Sequence, residues 1–304
     1  MLRLHDREHS MARAFRRIIA FGDLHAEAGF FREVMSRCGL VDDANQFIAP
    51  DTALILLGNI CDRGPDSAGI YRSVMSYQAQ APKRGSRVYS LLGKHEVTHL
   101  FGMHTEMSET EQAGYRFDGY SERDACERAF APGGWLFEWL VTQPVAVRIH
   151  PFVFAPADLP PVFRDLQVAD VNTAVRTELQ KHVIAFRNGT DDLPLSLFSP
   201  EASILCSDAA GHMASPDYTS TLHTFLRNNR AHVYVCGHTP QASGTFSVRH
   251  ESRYVCINTG LSFVEQGFGS RTVFEWTDDA VHEVTFTGSG TIRKPVPLPL
   301  DRPV

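Results

Sequence analysis

Four times in this chain an apolar run ends in a glycine and functional side chains follow at once. The stretches are Phe21-Gly22-Asp23-Leu24-His25, Leu57-Gly58-Asn59-Ile60-Cys61-Asp62-Arg63-Gly64, Leu92-Gly93-Lys94-His95-Glu96 and Cys236-Gly237-His238-Thr239. A buried strand that ends this way gathers polar groups in the crevice beyond its carboxyl end, where open α/β sheets hold their chemistry. Four such endings, in this order, predict an α/β chain with one composite site.

The segments between these endings alternate. Arg17–Phe21, Thr52–Leu57 and Arg87–Leu92 read as strands, Phe30–Cys38 and Ser67–Gln80 as helices between them. That order predicts right-handed crossovers and a largely parallel sheet. Leu100–Trp139 shows no strand pattern and is expected to form helices capping the site. Val145–Phe154 returns to strand around Pro151, and Asp170–Phe186 and Tyr218–Asn228 have helical spacing. Ala231–Cys236, Arg253–Asn258, Arg271–Trp276 and Val281–Phe286 follow as strands, and their short turns predict a more antiparallel second half. The domain is placed at 18–290, with the cap insertion at about 100–140, a basic arm at 1–17 and an extended proline-rich tail at 291–304.

At 304 residues with 43% hydrophobic and 21% charged residues, the chain can bury a full core. A net charge of -6 argues against a nucleic-acid partner. No apolar run reaches the roughly 18 residues of a membrane helix. The six cysteines form no CxxC pair and read as core thiols of a reducing, intracellular compartment. Arg3, Arg7, Arg13, Arg16 and Arg17 hint at a mitochondrial presequence, whereas Asp6 and Glu8 fit a cytoplasmic arm lying on this protein or on a partner.

The order of motifs resembles that of the calcineurin-like metallophosphoesterases, specifically the phosphoprotein phosphatase group, with GDxH, GDxxDRG, GNHE, HGG and GHT. The chain reads Gly22-Asp23-Leu24-His25, Gly58-Asn59-Ile60-Cys61-Asp62-Arg63-Gly64, Gly93-Lys94-His95-Glu96, Ala155-Pro156-Ala157 and Gly237-His238-Thr239. The likeness spans roughly residues 17 to 277, and the context after Glu96 is most similar to the Shewanella-like branch. The resemblance implies an αββα sandwich, two central mixed sheets flanked by helices. It also implies a dinuclear site of manganese, iron or zinc that activates water and holds a phosphate.

Residue by residue, the resemblance carries over only in part. Asp23 and His25 match ligands of one metal, and His238 matches a ligand of the other. Asn59 stands for the bridging aspartate, Lys94 for an asparagine ligand and Ala155 for a histidine ligand. Asn59 is neutral, Lys94 offers donors only, and Ala155 has no donor atom. His150 lies five residues upstream of Ala155 on the same strand, roughly 16 Å away, and cannot replace it. Asp158 would have to swing in from the next loop. Asp23 is then the one carboxylate among six ligand positions, and a dication would face the Lys94 ammonium. We therefore expect Lys94 to pair with Asp23 in the metal's place. The alternative leaves Lys94 in solvent and the first metal in place.

Asp62 and His95 match the family's acid pair and Arg63 a phosphate-clamping arginine. Their presence is compatible with residual anion binding or with purely structural hydrogen bonds. A competing pattern is His95-Glu96-Val97-Thr98-His99, an HExxH zinc-protease match. Its start directly after a strand-ending glycine makes His99 an ordinary helix residue of the cap instead. The expected function is a pseudophosphatase without cofactor, acting as a binding or scaffold subunit of a larger protein assembly. The alternative is an active metal-dependent phosphatase with a reduced site.

Overall fold

Arg17–Phe21 (β1) and Thr52–Leu56 (β2) are apolar after their first residues because both faces of their sheet are covered. The computed structural model describes residues 15–104, 106–116, 122–208, 216–277, 280–301 and 304. Most of the basic arm, 1–14, lies outside the described residues. The remaining strands are β3 (Arg87–Ser90), β4 (Val147–Ile149), β5 (Phe152–Ala155), β6 (Val233–Cys236), β7 (Ser247–Arg249), β8 (Tyr254–Cys256), β9 (Thr272–Thr277), β10 (Ala280–Thr287) and β11 (Gly290–Val296). The helices are α1 (Ala28–Arg37), α2 (Ser67–Gln80), α3 (Lys94–Leu100), α4 (Glu109–Ala113), α5 (Glu122–Phe130), α6 (Trp135–Leu140), α7 (Val168–Arg187), α8 (Leu195–Phe198) and α9 (Pro216–Asn228).

Two mixed sheets result. One has the order β11-β10-β9-β1-β2-β3, the other β4-β5-β6-β8-β7. The side-chain period of two sorts each central strand between two cores. Ile18, Ala20, Ala53, Ile55, Phe152, Phe154, Val233 and Val235 point between the sheets, where Phe274 meets Phe152 edge-on at 5.4 Å. Ile19, Phe21, Leu54, Leu56, Val153 and Tyr234 face the helices instead. This is the αββα sandwich that the resemblance implies.

Strands β1, β2 and β3 run parallel, as do β5, β6 and β8. Their carboxyl ends therefore open on one side of each sheet, and the side chains that follow them meet in a single crevice. The expected antiparallel second half holds for β9, β10 and β11, which follow one another through hairpins and extend the first sheet, but not for the pairing of β6. The longer path between β6 and β8 lets β8 run parallel to β6, with the short β7 hairpinned beside it.

The tail boundary at 290 also moves. Gly290 to Val296 pairs along the length of β10, from Thr287↔Gly290 to Val281↔Val296. Pro295 is tolerated there because β11 is an edge strand. Leu298 and Leu300 then pack against the inter-sheet core. The cap holds helices α4, α5 and α6, as expected.

Candidate active site

The strand ends abut so closely that glycine is required. A Cβ at Gly237 would lie 2.5 Å from Asp23 Oδ1, and one at Gly58 (φ +95°) would strike the backbone of Gly93. The loops beyond them are bent where L-residues are strained. His25, Ala26, Asn59, Asp62, Arg63 and His238 have φ of 44°, 60°, 49°, 73°, 72° and 68°. Such outliers persist where surrounding contacts over-determine the backbone, and they cluster at functional sites.

One half of the crevice is organised around Asp23, which is buried. Its Oδ2 accepts from Asn59 Nδ2 at 2.9 Å and its Oδ1 from the His238 backbone N–H at 2.9 Å. Burial pushes this carboxyl up to about 6, against the pull of those two hydrogen bonds. Asn59 is engaged at both ends, since its Oδ1 accepts the His95 backbone N–H at 3.1 Å. His25 donates from Nδ1 to the Cys61 carbonyl at 3.1 Å, which leaves the lone pair on Nε2. Arg63 NH1 lies 3.2 Å from that nitrogen, and Asp23 Oδ2 lies 3.7 Å away. Burial, then His95 and Arg63, hold the His25 imidazole well below its ordinary value.

Lys94 does not do what the charge count predicts. Among the described residues no hydrogen bond or ion pair joins it to Asp23, whose oxygens accept instead from the Asn59 amide and the His238 backbone N–H. Half-buried at the first turn of α3, Lys94 instead bears on His238, whose imidazole is pushed down to about 4 by burial and then by this ammonium. Ala155 ends β5 beside Cys236, fully buried. Asp158 accepts from the Tyr254 hydroxyl and lies 3.4 Å from the Cys236 thiol. His150 lies at the opposite end of β5 and meets the Arg230 carbonyl at 3.2 Å.

The other half is organised around Asp62. Its Oδ2 is bonded to His95 Nδ1 and its Oδ1 to His99 Nε2 at 2.8 Å. Burial alone would raise this carboxyl, but the hydrogen bonds from His95 and His99 hold it well below the usual range. His99 is thus no ordinary cap residue. It is fully buried, and its spacing of four from His95 puts both imidazoles on the face of α3 that meets Asp62. That spacing was the signal in the sequence, and it points to a carboxylate as readily as to a zinc ion. Arg63 reaches across with its guanidinium 5.5 Å from the Phe263 ring and 3.8 Å from Glu106.

Two further carboxylates serve the backbone. Glu96 accepts the N–H groups of Asn59, Ile60 and Gly93 at 2.8, 2.7 and 2.8 Å and the Tyr71 hydroxyl at 2.9 Å. Glu111, on cap helix α4, accepts the Asp62 N–H at 2.9 Å and the Ser67 hydroxyl through Oε1, while its buried Oε2 has no partner. Burial pushes Glu111 up to about 8, so it carries a proton at neutral pH. The zinc-protease pattern fails on this geometry. Both histidines close on Asp62, and both oxygens of Glu96 are spent on backbone donors.

The sequence profile of the calcineurin-like phosphoesterases matches residues 16–242, about three quarters of the chain. The chain belongs to the calcineurin-like phosphoesterase family. Among its relatives, Shewanella-like protein phosphatase 1 of Plasmodium berghei is 24% identical over 256 residues, 81% of this chain and 67% of that protein. An uncharacterized protein of Schizosaccharomyces pombe is 24% identical over 278 residues, 89% of this chain and 81% of its own. In fold, a cold-active protein-tyrosine phosphatase from a psychrophilic Shewanella superposes with a TM-score of 0.74 at 15% identity, covering 94% of this chain and 83% of that one.

Calcineurin-like phosphoesterases are metal-dependent, so the donor set must be tested against two divalent ions. The six expected positions supply Asp23, His25 and His238, an amide hydrogen-bonded at both ends, an ammonium and a methyl group. That set does not fit a dinuclear centre. Among the described residues, possible metal-binding donors come within 4.8 Å of one another in two other groups, Cys61–Asp62–His99 and Asp62–His95–Glu106. Both draw on Asp62 and would take a cation only by giving up its imidazole hydrogen bonds.

Proposed function

We propose that this phosphoesterase-family chain is a pseudophosphatase. It keeps the fold and the Asp62–His95 centre, does not assemble the two-metal hydrolytic site, and serves as a binding or scaffold subunit of a larger protein assembly. The observation that carries this reading is the Asn59 amide. It stands in the place of a bridging carboxylate, and its Nδ2 occupies the Asp23 oxygen that a metal would need. Arg63 does the same at His25, where its guanidinium faces the imidazole lone pair. Protein partners in an intracellular compartment, cytoplasmic or mitochondrial, fit the net charge of -6 and the six buried free thiols.

The test is metal content by mass spectrometry after equilibration with manganese and zinc, paired with hydrolysis of an aryl phosphate. The expected result is less than stoichiometric metal and no turnover above solvent. One or more tightly held ions per chain, with turnover abolished by Asp23→Asn, would overturn the reading. A second reading, a phosphoesterase with a reduced metal site, draws support from one feature. Asp23, His25 and His238 still converge, beside an Asp62 carboxylate held in its ionised form.

A further inference from the structure

One row of residues runs in register across the whole second sheet. Arg148 of β4 stands opposite Val153 of β5, Val153 opposite Tyr234 of β6, Tyr234 opposite Tyr254 of β8, and Tyr254 opposite Arg249 of β7. Side chains in such a row share a face. Val153, Tyr234 and Tyr254 are buried in the helix-side core, whereas Arg148 and Arg249 are exposed on the two edge strands. The strand spacing sets these two arginines about 19 Å apart.

Two more arginines stand at the amino ends of the same strands, away from the crevice. Arg227, in the last turn of α9, and Arg230, in the link to β6, are both exposed. The Arg230 carbonyl meets His150 Nδ1 of the β4–β5 turn at 3.2 Å. Among the described residues, none of the four arginines forms an ion pair, whereas Arg17, Arg32, Arg37, Arg187 and Arg293 all meet carboxylates. Arg227 complements the carbonyl end of its helix. The other three have no such duty. Across 147–151, 227–232 and 247–253 the sequence supplies a single carboxylate, Glu251, which lies 3.9 Å from His223. The backbone here is bent as it is in the crevice. Arg230, His250, Glu251 and Ser252 have φ of 49°, 50°, 57° and 62°, and surrounding contacts must hold such residues in place.

We propose that this strip docks an acidic, extended segment of a protein partner. A span of about 19 Å takes about six residues of extended chain. The planar arginine fork matches carboxylates in a way a lysine cannot. Charge complementarity favours a short peptide over larger polyanions. The protein carries a net charge of -6, so a long nucleic acid or a flat anionic membrane would meet repulsion beyond the strip, while a short segment meets the strip alone. The proposal rests on the scaffold reading and deepens it by naming the surface that a partner would use.

The test is fluorescence anisotropy of a labelled octaglutamate peptide titrated with the full chain at low salt. The expected result is saturable binding that Arg148→Thr combined with Arg249→Thr weakens about fivefold or more. Lys181→Ala combined with Lys294→Thr removes the same charge at exposed positions elsewhere, and should change binding by less than about twofold. Equal weakening by both pairs would show attraction to net charge alone and overturn the strip. Absence of binding by the unaltered protein would overturn it as well. Tighter binding of a single-stranded DNA oligomer or of phosphatidylserine vesicles would overturn the choice of partner. Metal content and turnover are measured on the same preparation. An active, metal-loaded chain that binds the peptide would sink the pseudophosphatase reading alone, and an inactive, metal-free chain that does not bind would sink the strip alone.

Discussion

The two halves of the crevice have been built on different terms. Around Asp23 the side chains hold one another: the Asn59 amide donates to the carboxylate and the Arg63 guanidinium lies against His25. Around Asp62 and Glu96, carboxylates still collect dense sets of hydrogen bonds, from imidazoles in one case and from backbone N–H groups in the other. The difference is physical. A side chain that meets a carboxylate through one hydrogen bond can be exchanged, provided the charge finds another donor. A carboxylate that terminates three loop N–H groups cannot be exchanged without orphaning them.

The sharpest way to break the comparison is Glu96→Ala. It strands the N–H groups of Asn59, Ile60 and Gly93 together, and chemical denaturation should register a loss of about 3 to 5 kcal/mol. A loss below 1 kcal/mol would mean that the loops are held by something else.

Asn59→Asp probes the opposite half. It sets a second carboxylate against Asp23, costing about 2 to 3 kcal/mol in chelator. Added manganese should restore the melting temperature if the substitution rebuilds a bridging ligand, because a ligand at about 100 times its Kd returns about 2.7 kcal/mol. No manganese dependence in the triple change Asn59→Asp, Lys94→Asn and Ala155→His would show that more than ligand identity separates this crevice from a metal site.

Glu111→Gln is subtler and depends on pH. The Glu111 carboxyl is raised from 4.5 unfolded to about 8 folded, so the unfolded chain ionises first and wild-type stability falls as pH rises between those values. The glutamine keeps the acceptor for the Asp62 N–H without that penalty. Its advantage should be absent near pH 4, grow as pH rises and level off near pH 8. A constant difference across that range would mean that Glu111 is ionised in the fold. The smallest effect belongs to Glu106→Ala. Its contact with Arg63 is half exposed, and its removal should change stability by less than about 0.5 kcal/mol.

Much of this was legible beforehand, for reasons that can be named. Apolar runs ending in Gly22, Gly58, Gly93 and Gly237 fixed four strand ends, and helix α2 fell at Ser67–Gln80 as its spacing predicts. The hairpin of β10 and β11 was obscured by Pro295, which reads as a strand breaker unless the strand is known to lie at an edge. Lys94 was misplaced because a charge count fixes how many charges must balance and says nothing about which donor reaches Asp23 first. Asn59 reaches it. His99 was misjudged because a spacing of four announces a shared helix face without naming what that face meets.

Arg187 ties three separate parts of the chain. From the last turn of α7, its guanidinium donates to the His99 and Leu100 carbonyls at the end of α3, to the Phe130 carbonyl at the end of α5, and to Glu127. The carboxyl ends of three helices thus share one bolt, and local opening should respect it. In native-state hydrogen exchange α3, α5 and the end of α7 should exchange as one cooperative unit. Arg187→Met would split that unit, releasing α5 to exchange faster while the strands beneath keep their protection.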